Sequence, residues 1–301
     1  MPTKTRNWLI AIFILAVPFV LFLGFLFFMD TEPLPPIAPP PNPNGYEDLV
    51  KAGEMADKNT GDYYEMKLEE LRALVAKNSD ALQAARTSLQ EDCAVPIQSS
   101  ESYMSRHLTE LADYKRLAQA FVAEGRLAEM ENRPGDAAKS FLDEIRLGNK
   151  SDHGGILIDE LVSTAIEAMG VANLQKLVDQ LDAKSCREAA ATLETLDAQG
   201  QSWQQVLQQE RDWSRRAYPG VRYELVRLMS RISSNKAIQK AGEKFNNQQM
   251  EMRQLTVDLA ARAYELEKGH PPASAADLVP DYLKAVPQDP VNGTNLVYSP
   301  R

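Results

Sequence analysis

The spacing of apolar and polar positions divides the chain into three unequal parts. From Trp8 to Met29 (WLIAIFILAVPFVLFLGFLFFM) no position is charged or strongly polar. As a helix this run is about 33 Å long, enough for a hydrocarbon core of about 30 Å. Pro33 to Pro43 (PLPPIAPPPNP) has no period of either kind. After Gly45 apolar residues return at three- and four-residue spacing and keep to it over most of the remaining length.

Asp62-Tyr63-Tyr64-Glu65 reads as a capping box, opening a helix through Met66, Leu68, Leu71, Leu74 and Val75. A second helix is expected over 79–90, a polar loop with Pro96 over 91–100, and a long helix from Glu101 to about Asn132. Its apolar stripe is Leu108, Leu111, Leu117, Ala118, Phe121 and Leu127. Pro134-Gly135-Asp136 breaks it. The next helix carries Ala137, Phe141, Ile145 and Leu147, and Gly148 to Gly155 reads as a turn. Ile156 to Leu181, with Leu157, Leu161, Val162, Ile166 and Leu174, is the expected central helix. Helices over 184–199 and 202–217 follow, the second opened by Ser202 and Gln205. Beyond Pro219-Gly220 the pattern resumes from Val221 to about Lys268, with a break near residues 233–235. Residues 45–254 are expected to form an all-α bundle of antiparallel hairpins.

Charge orients the first part. Lys4 and Arg6 precede the apolar run, while Asp30 and Glu32 follow it. The positive-inside bias puts residues 1–7 in the cytoplasm and residues 30–301 outside a cell membrane. Leu26-Phe27-Phe28-Met29 has bulky groups where a signal peptidase needs small ones, so an uncleaved single-pass anchor is expected, with the lipid bilayer as partner through residues 8–29. Residues 30–44 then form an extended proline-rich spacer, about 30 Å long.

The formal charge of −9, from 33 basic against 42 acidic residues, argues against nucleic acid as the main partner. Cys93 and Cys186 form a candidate disulfide outside the cytoplasm; the alternative is two separate buried thiols. Two cysteines and three scattered histidines make no zinc pattern, and no cofactor is expected. Charge reverses locally after Arg211. Arg211, Arg215, Arg216, Arg222, Arg227 and Arg231 form a candidate basic interaction patch, with 211/215 and 227/231 each sharing a helix face. A solvated face, paired with acidic neighbours inside the fold, is the plainer reading.

Further places are candidates for chemistry or for close packing. His153, in Ser151-Asp152-His153-Gly154-Gly155, sits where a loop can hold an anion against the next helix's amino end. His107 lies in a helix and His270 in a Gly-His-Pro-Pro turn. Residues 118–151 resemble one tetratricopeptide repeat: Gly125, Ala137 and Phe141 fall at its small and aromatic positions, which implies close packing of an antiparallel helix pair. No second copy follows at a 34-residue offset. Glu101-Ser102 resembles the catalytic pairing of lytic transglycosylases, but that family's downstream Gly-Ala-x-Gly segment is missing, which leaves Glu101 as a first-turn helix residue.

Leu255 to Tyr298 carries the most specific pattern. Tyr264, Gly269, Leu278, Val279, Pro280, Tyr282, Leu283, Pro287, Asp289, Pro290, Gly293 and Tyr298 resemble the C-terminal segment of type II secretion pseudopilins. The resemblance implies a helix ended by Gly269, a short helix capped by Ser274, and a small strand or β-hairpin turning at Asn292-Gly293. It covers about 45 of 301 residues. The family's leader and the glutamate in its apolar helix are absent, so calcium binding, processing and filament assembly do not carry over.

These features together lead to the expectation of a mainly α, membrane-anchored extracytoplasmic protein, acting as a scaffold or interaction module of the cell envelope with an envelope protein as partner. The alternative is an envelope-polymer hydrolase working through carboxylates. A deep cleft with two facing carboxylates would favour the enzyme, and an exposed apolar groove would favour binding.

Overall fold

The computed structural model describes residues 16–21, 24, 34, 36–58, 61–100, 102–218, 223 and 235–298. From Gly45 onward the described residues form α1 (Gly45–Met55), α2 (Leu68–Lys77), α3 (Ser79–Ser88), α4 (Tyr103–Met130), α5 (Pro134–Ser151), α6 (Leu157–Leu177), α7 (Ala183–Gln199), α8 (Trp203–Ala217) and α9 (Asn235–Lys268). A 3₁₀ turn, Val178–Gln180, extends α6, and a second one, Ala275–Leu278, lies in the C-terminal segment.

Local chemistry sets where the helices start. Ser202 and Gln205 cap α8 reciprocally, as their spacing implies. Asp182 accepts the amide of Ser185 at 2.7 Å and opens α7. The box expected at Asp62 does not open a helix. Its side chain takes the amide of Tyr64 and its carbonyl takes that of Glu65, which closes a local turn. Glu70 does the capping instead, accepting the amide of Lys67 at 2.9 Å, so α2 begins at Leu68.

Packing revises two further readings. Gly148 continues α5 instead of ending it, because a Cβ there would lie 2.7 Å from Cγ of Glu167; the glycine serves close approach of α5 to α6. Leu108, expected on the buried stripe of α4, is 50% exposed, since His107 takes the inward position. The α4–α5 hairpin meets its expectation. A Cβ on Gly125 would lie 2.4 Å from Cε1 of Phe141, whose ring is fully buried.

The largest core gathers Phe141 and Ile145 of α5, Leu174 of α6, Leu193 of α7 and Leu255 and Leu259 of α9. A second core joins α1, α3 and the middle of α4 around Tyr46, Leu82, Tyr114 and Phe121. α2 covers Ala123 and Leu127 of α4 with Leu71 and Leu74.

The C-terminal segment is docked on this bundle. Leu278, Tyr282 and Leu283 enter the largest core, and Gly269 ends α9 with φ +80°. Among the described residues there is no strand, which corrects the expected β-hairpin. Gln288 and Asn295 make one isolated antiparallel bridge. Asp289 takes the amides of Val291 and Asn292 and closes the turn locally, while Val291 and Val297 stand exposed with nothing to pack a ladder against.

The expected membrane span over 8–29 falls mostly outside the described residues, where 16–21 and 24 are helical. Among the described residues no helix is long and apolar enough to cross a membrane. The fold is therefore an α-helical bundle without a demonstrated membrane helix.

Candidate functional site

The loop between α3 and α4 is pinned at both ends. Asn44 donates to the carbonyl of Ala94 at 2.9 Å and accepts its amide at 3.0 Å. Gly45 donates to Asp92, and a Cβ on Gly45 would lie 2.8 Å from Sγ of Cys93. Val95 donates to the carbonyl of His153. These bonds hold Pro96 and Ile97 next to Ile156 at the start of α6.

Helix α8 closes the other side. Glu210 accepts the amide of Leu157 at 3.0 Å, linking α8 to the amino end of α6; burial holds its carboxyl above the usual range. One turn further on, Trp213 donates its indole N–H to the carbonyl of Gln98 at 3.0 Å. Its ring is tilted against Tyr103 at 6.5 Å and edge-on to Tyr218 at 6.3 Å. The result is a largely apolar groove of about 510 Å³. Pro96, Ile97, Ile156 and Trp213 line it together with Gln209, Asp212 and Arg216.

The proline-rich segment forms the remaining wall. Pro36, Ile37, Ala38, Pro39 and Pro40 run along the groove, exposed on their outer side. The sequence reading treats this segment as a spacer leading away from the domain, whereas its described part lies against the domain.

Beneath the groove lies a polar node that residue spacing alone did not assemble. His107 is fully buried, with Nε2 2.6 Å from Oδ1 of Asp159 and Nδ1 3.2 Å from Oε2 of Glu110. The ring stacks on Tyr103 at 4.9 Å, and the hydroxyl of Tyr46 lies 3.5 Å from Nδ1. Burial alone would lower the imidazole pKa, but the bonds to Asp159 and Glu110 outweigh it and leave it raised. Tyr103 thus stands between the node and Trp213.

The other sequence candidates are dispersed. Cys93 and Cys186 do not pair: both are free, buried in different cores, and burial pushes each thiol up to about 11. The anion site expected at His153 is already filled by the chain itself, because Asp159 takes the amide of Ile156 and Glu210 that of Leu157. The His153 imidazole is half-buried and held below its ordinary value, by burial first and Lys150 second. His270 packs edge-on to Tyr264, far along the chain from the node. Arg211 bonds Gln208 on the exposed side of α8, and Arg215 and Arg216 also have partners in the fold. Arg222, Arg227 and Arg231 lie outside the described residues, as does Glu101.

Among the described residues, carboxyl groups line a pocket of about 270 Å³ (Asp179, Asp258, Glu265) and one of about 490 Å³ (Glu124, Asp136, Asp143), besides a small one in the interior. Asp152, Glu160 and Glu167 line a cavity of about 20 Å³, room for one water and no sugar ring. Among the described residues no group of acidic, histidine or cysteine side chains is arranged to hold a metal ion. Neither a protein-family model nor a curated protein nor a solved structure matches this chain.

Proposed function

We propose that the protein is a non-enzymatic helical interaction module whose groove at Trp213 takes an extended, proline-containing segment of a partner protein. The observation that carries this reading is the pairing of that groove with Pro36 to Pro40 along its wall. Proline-rich chain is stiff and poor in backbone donors, so it docks at small entropic cost against flat aromatic and aliphatic surface. Trp213 suits that task because its bond to Gln98 and its contacts with Tyr103 and Tyr218 fix the ring.

The test is a titration of the full chain with the peptide PLPPIAPPPNP, followed by calorimetry, beside a control peptide with alanine at each proline. Saturable binding of the first peptide alone is expected. Trp213→Ala should weaken it about tenfold or more, as removal of a buried aromatic anchor does. Ile97→Ser serves as a second, milder variant. Equal binding of both peptides, or wild-type affinity in both variants, would overturn the reading.

A further inference from the structure

Helices α5, α6 and α9 meet around three carboxyl groups removed from solvent. Asp152 comes from the C-terminal end of α5, and Glu160 and Glu167 from α6, with exposures of 6, 3 and 8%. Oδ1 of Asp152 and Oε2 of Glu160 have no hydrogen-bond partner. Glu160 accepts from Thr164 at 3.2 Å, and Glu167 accepts from the amide of Gln248 on α9 at 2.7 Å. Gln248, Phe245 and Met252 of α9 close the cavity over Asp152, Glu160 and Glu167.

The nearby charged groups are engaged elsewhere. Arg253 of α9 is bound to Asp197 of α7 at 2.8 Å. Lys150 donates to the carbonyl of Glu91. Asp159 is held by His107 and by the amide of Ile156. His153, beside Asp152, is half-buried and favours its neutral form. Glu210 caps α6, and Gln201 reaches only the backbone carbonyl of Asp152. Among the described residues the junction thus collects acids without a cation directed into it. Isolated carboxylates at such a place are so costly that they take up protons instead.

We infer that the junction of α5, α6 and α9 is a proton-held latch, closed while its carboxyl groups are protonated and loosened on α9 when they ionise. Burial holds Asp152 and Glu160 above the ordinary carboxylate range, and Glu167 at about 8. Groups raised in the folded state stabilise it fully below their unfolded values, and that stability is lost as pH rises through the folded ones. For Glu167 the latch is therefore tight at and below the ordinary value of 4.5 and weakens from there up to about 8. Ionised Glu167 would also face Glu160, whose charge adds to the repulsion.

Hydrogen exchange of α9 in the full chain at pH 5.5, 7 and 9, corrected for intrinsic rates, tests this. Protection over residues 245–252 should fall between pH 5.5 and about 8, by up to about tenfold per pH unit for Glu167, and level off once it has ionised. Glu167→Gln keeps the acceptor for Gln248 without the charge and should flatten that fall; Glu160→Gln should flatten it in part. Titration of His107 and His153 is common to wild type and variants, so the difference between them isolates the latch. Protection unchanged between pH 5.5 and 9 in the wild type would refute the latch, and so would variants that lose protection as steeply as wild type. The outcome does not depend on what the groove binds.

Discussion

Nε2 of His107 lies 2.6 Å from Oδ1 of Asp159, and neither side chain reaches solvent. The contact ties α4 to α6 across 52 residues of sequence. A buried ion pair is weak evidence of net stability, but removing one member leaves the other charge stranded in the interior.

His107→Ala should accordingly cost about 3–5 kcal/mol in chemical denaturation at pH 6. The sign with pH follows from the raised imidazole pKa. The contribution of His107 is whole below its unfolded value near 6.5 and disappears as pH rises through the higher folded value. The wild-type minus variant difference should therefore shrink from pH 6 towards pH 9. A constant difference would show that His107 acts through packing alone.

Gly125→Ala sets two effects against each other. Alanine is favoured over glycine in a helix by about 1 kcal/mol. Its methyl group, however, would meet the Phe141 ring at 2.4 Å, in a hairpin already packed on both sides. Overpacking costs about 1–3 kcal/mol and should win. Net destabilisation is expected in thermal denaturation, with part of it recovered in the Gly125→Ala, Phe141→Leu double variant. A stabilised single variant would contradict the close approach.

Arg187 should fasten the C-terminal segment. Its guanidinium sits 3.9 Å from the centre of the Tyr282 ring, bonds both oxygens of Glu267, and donates to the carbonyl of Asp281. These bonds bring the Glu267 carboxyl down to about 2. The pair is partly exposed, so Arg187→Ala should cost only about 0.5–1 kcal/mol globally. Locally the effect should be larger: limited proteolysis after His270 should speed up several-fold while the bundle stays intact. An unchanged cleavage rate would mean that Leu278 and Leu283 hold the segment unaided.

Both thiols should be silent in the folded protein. Cys93 and Cys186 are buried and their pKa values raised, so neither should react with Ellman's reagent near pH 8 within minutes, whereas two should react after denaturation. A single fast thiol in the native state would place one of them at the surface.

The sequence by itself determined the helices and their local joints. Apolar periodicity set out the bundle, Ser202 and Gln205 marked the start of α8, and Gly269 marked the end of α9. Gly125 and Phe141 announced a tight hairpin. Each of these rests on residues a few positions apart or on one short connection, where backbone geometry fixes who meets whom. The misplaced start at Asp62 has the same scale: its side chain satisfies a nearby amide equally well in a turn and at a helix cap. Only the tertiary structure decided that His107 faces Asp159, that Asp152, Glu160 and Glu167 share the α5–α6–α9 junction, and that Trp213 meets Pro96, Ile97 and the proline-rich segment. Those partners are set by packing angles between helices distant in sequence, and a one-dimensional pattern of apolar positions carries no record of which polar residues that packing shuts in together.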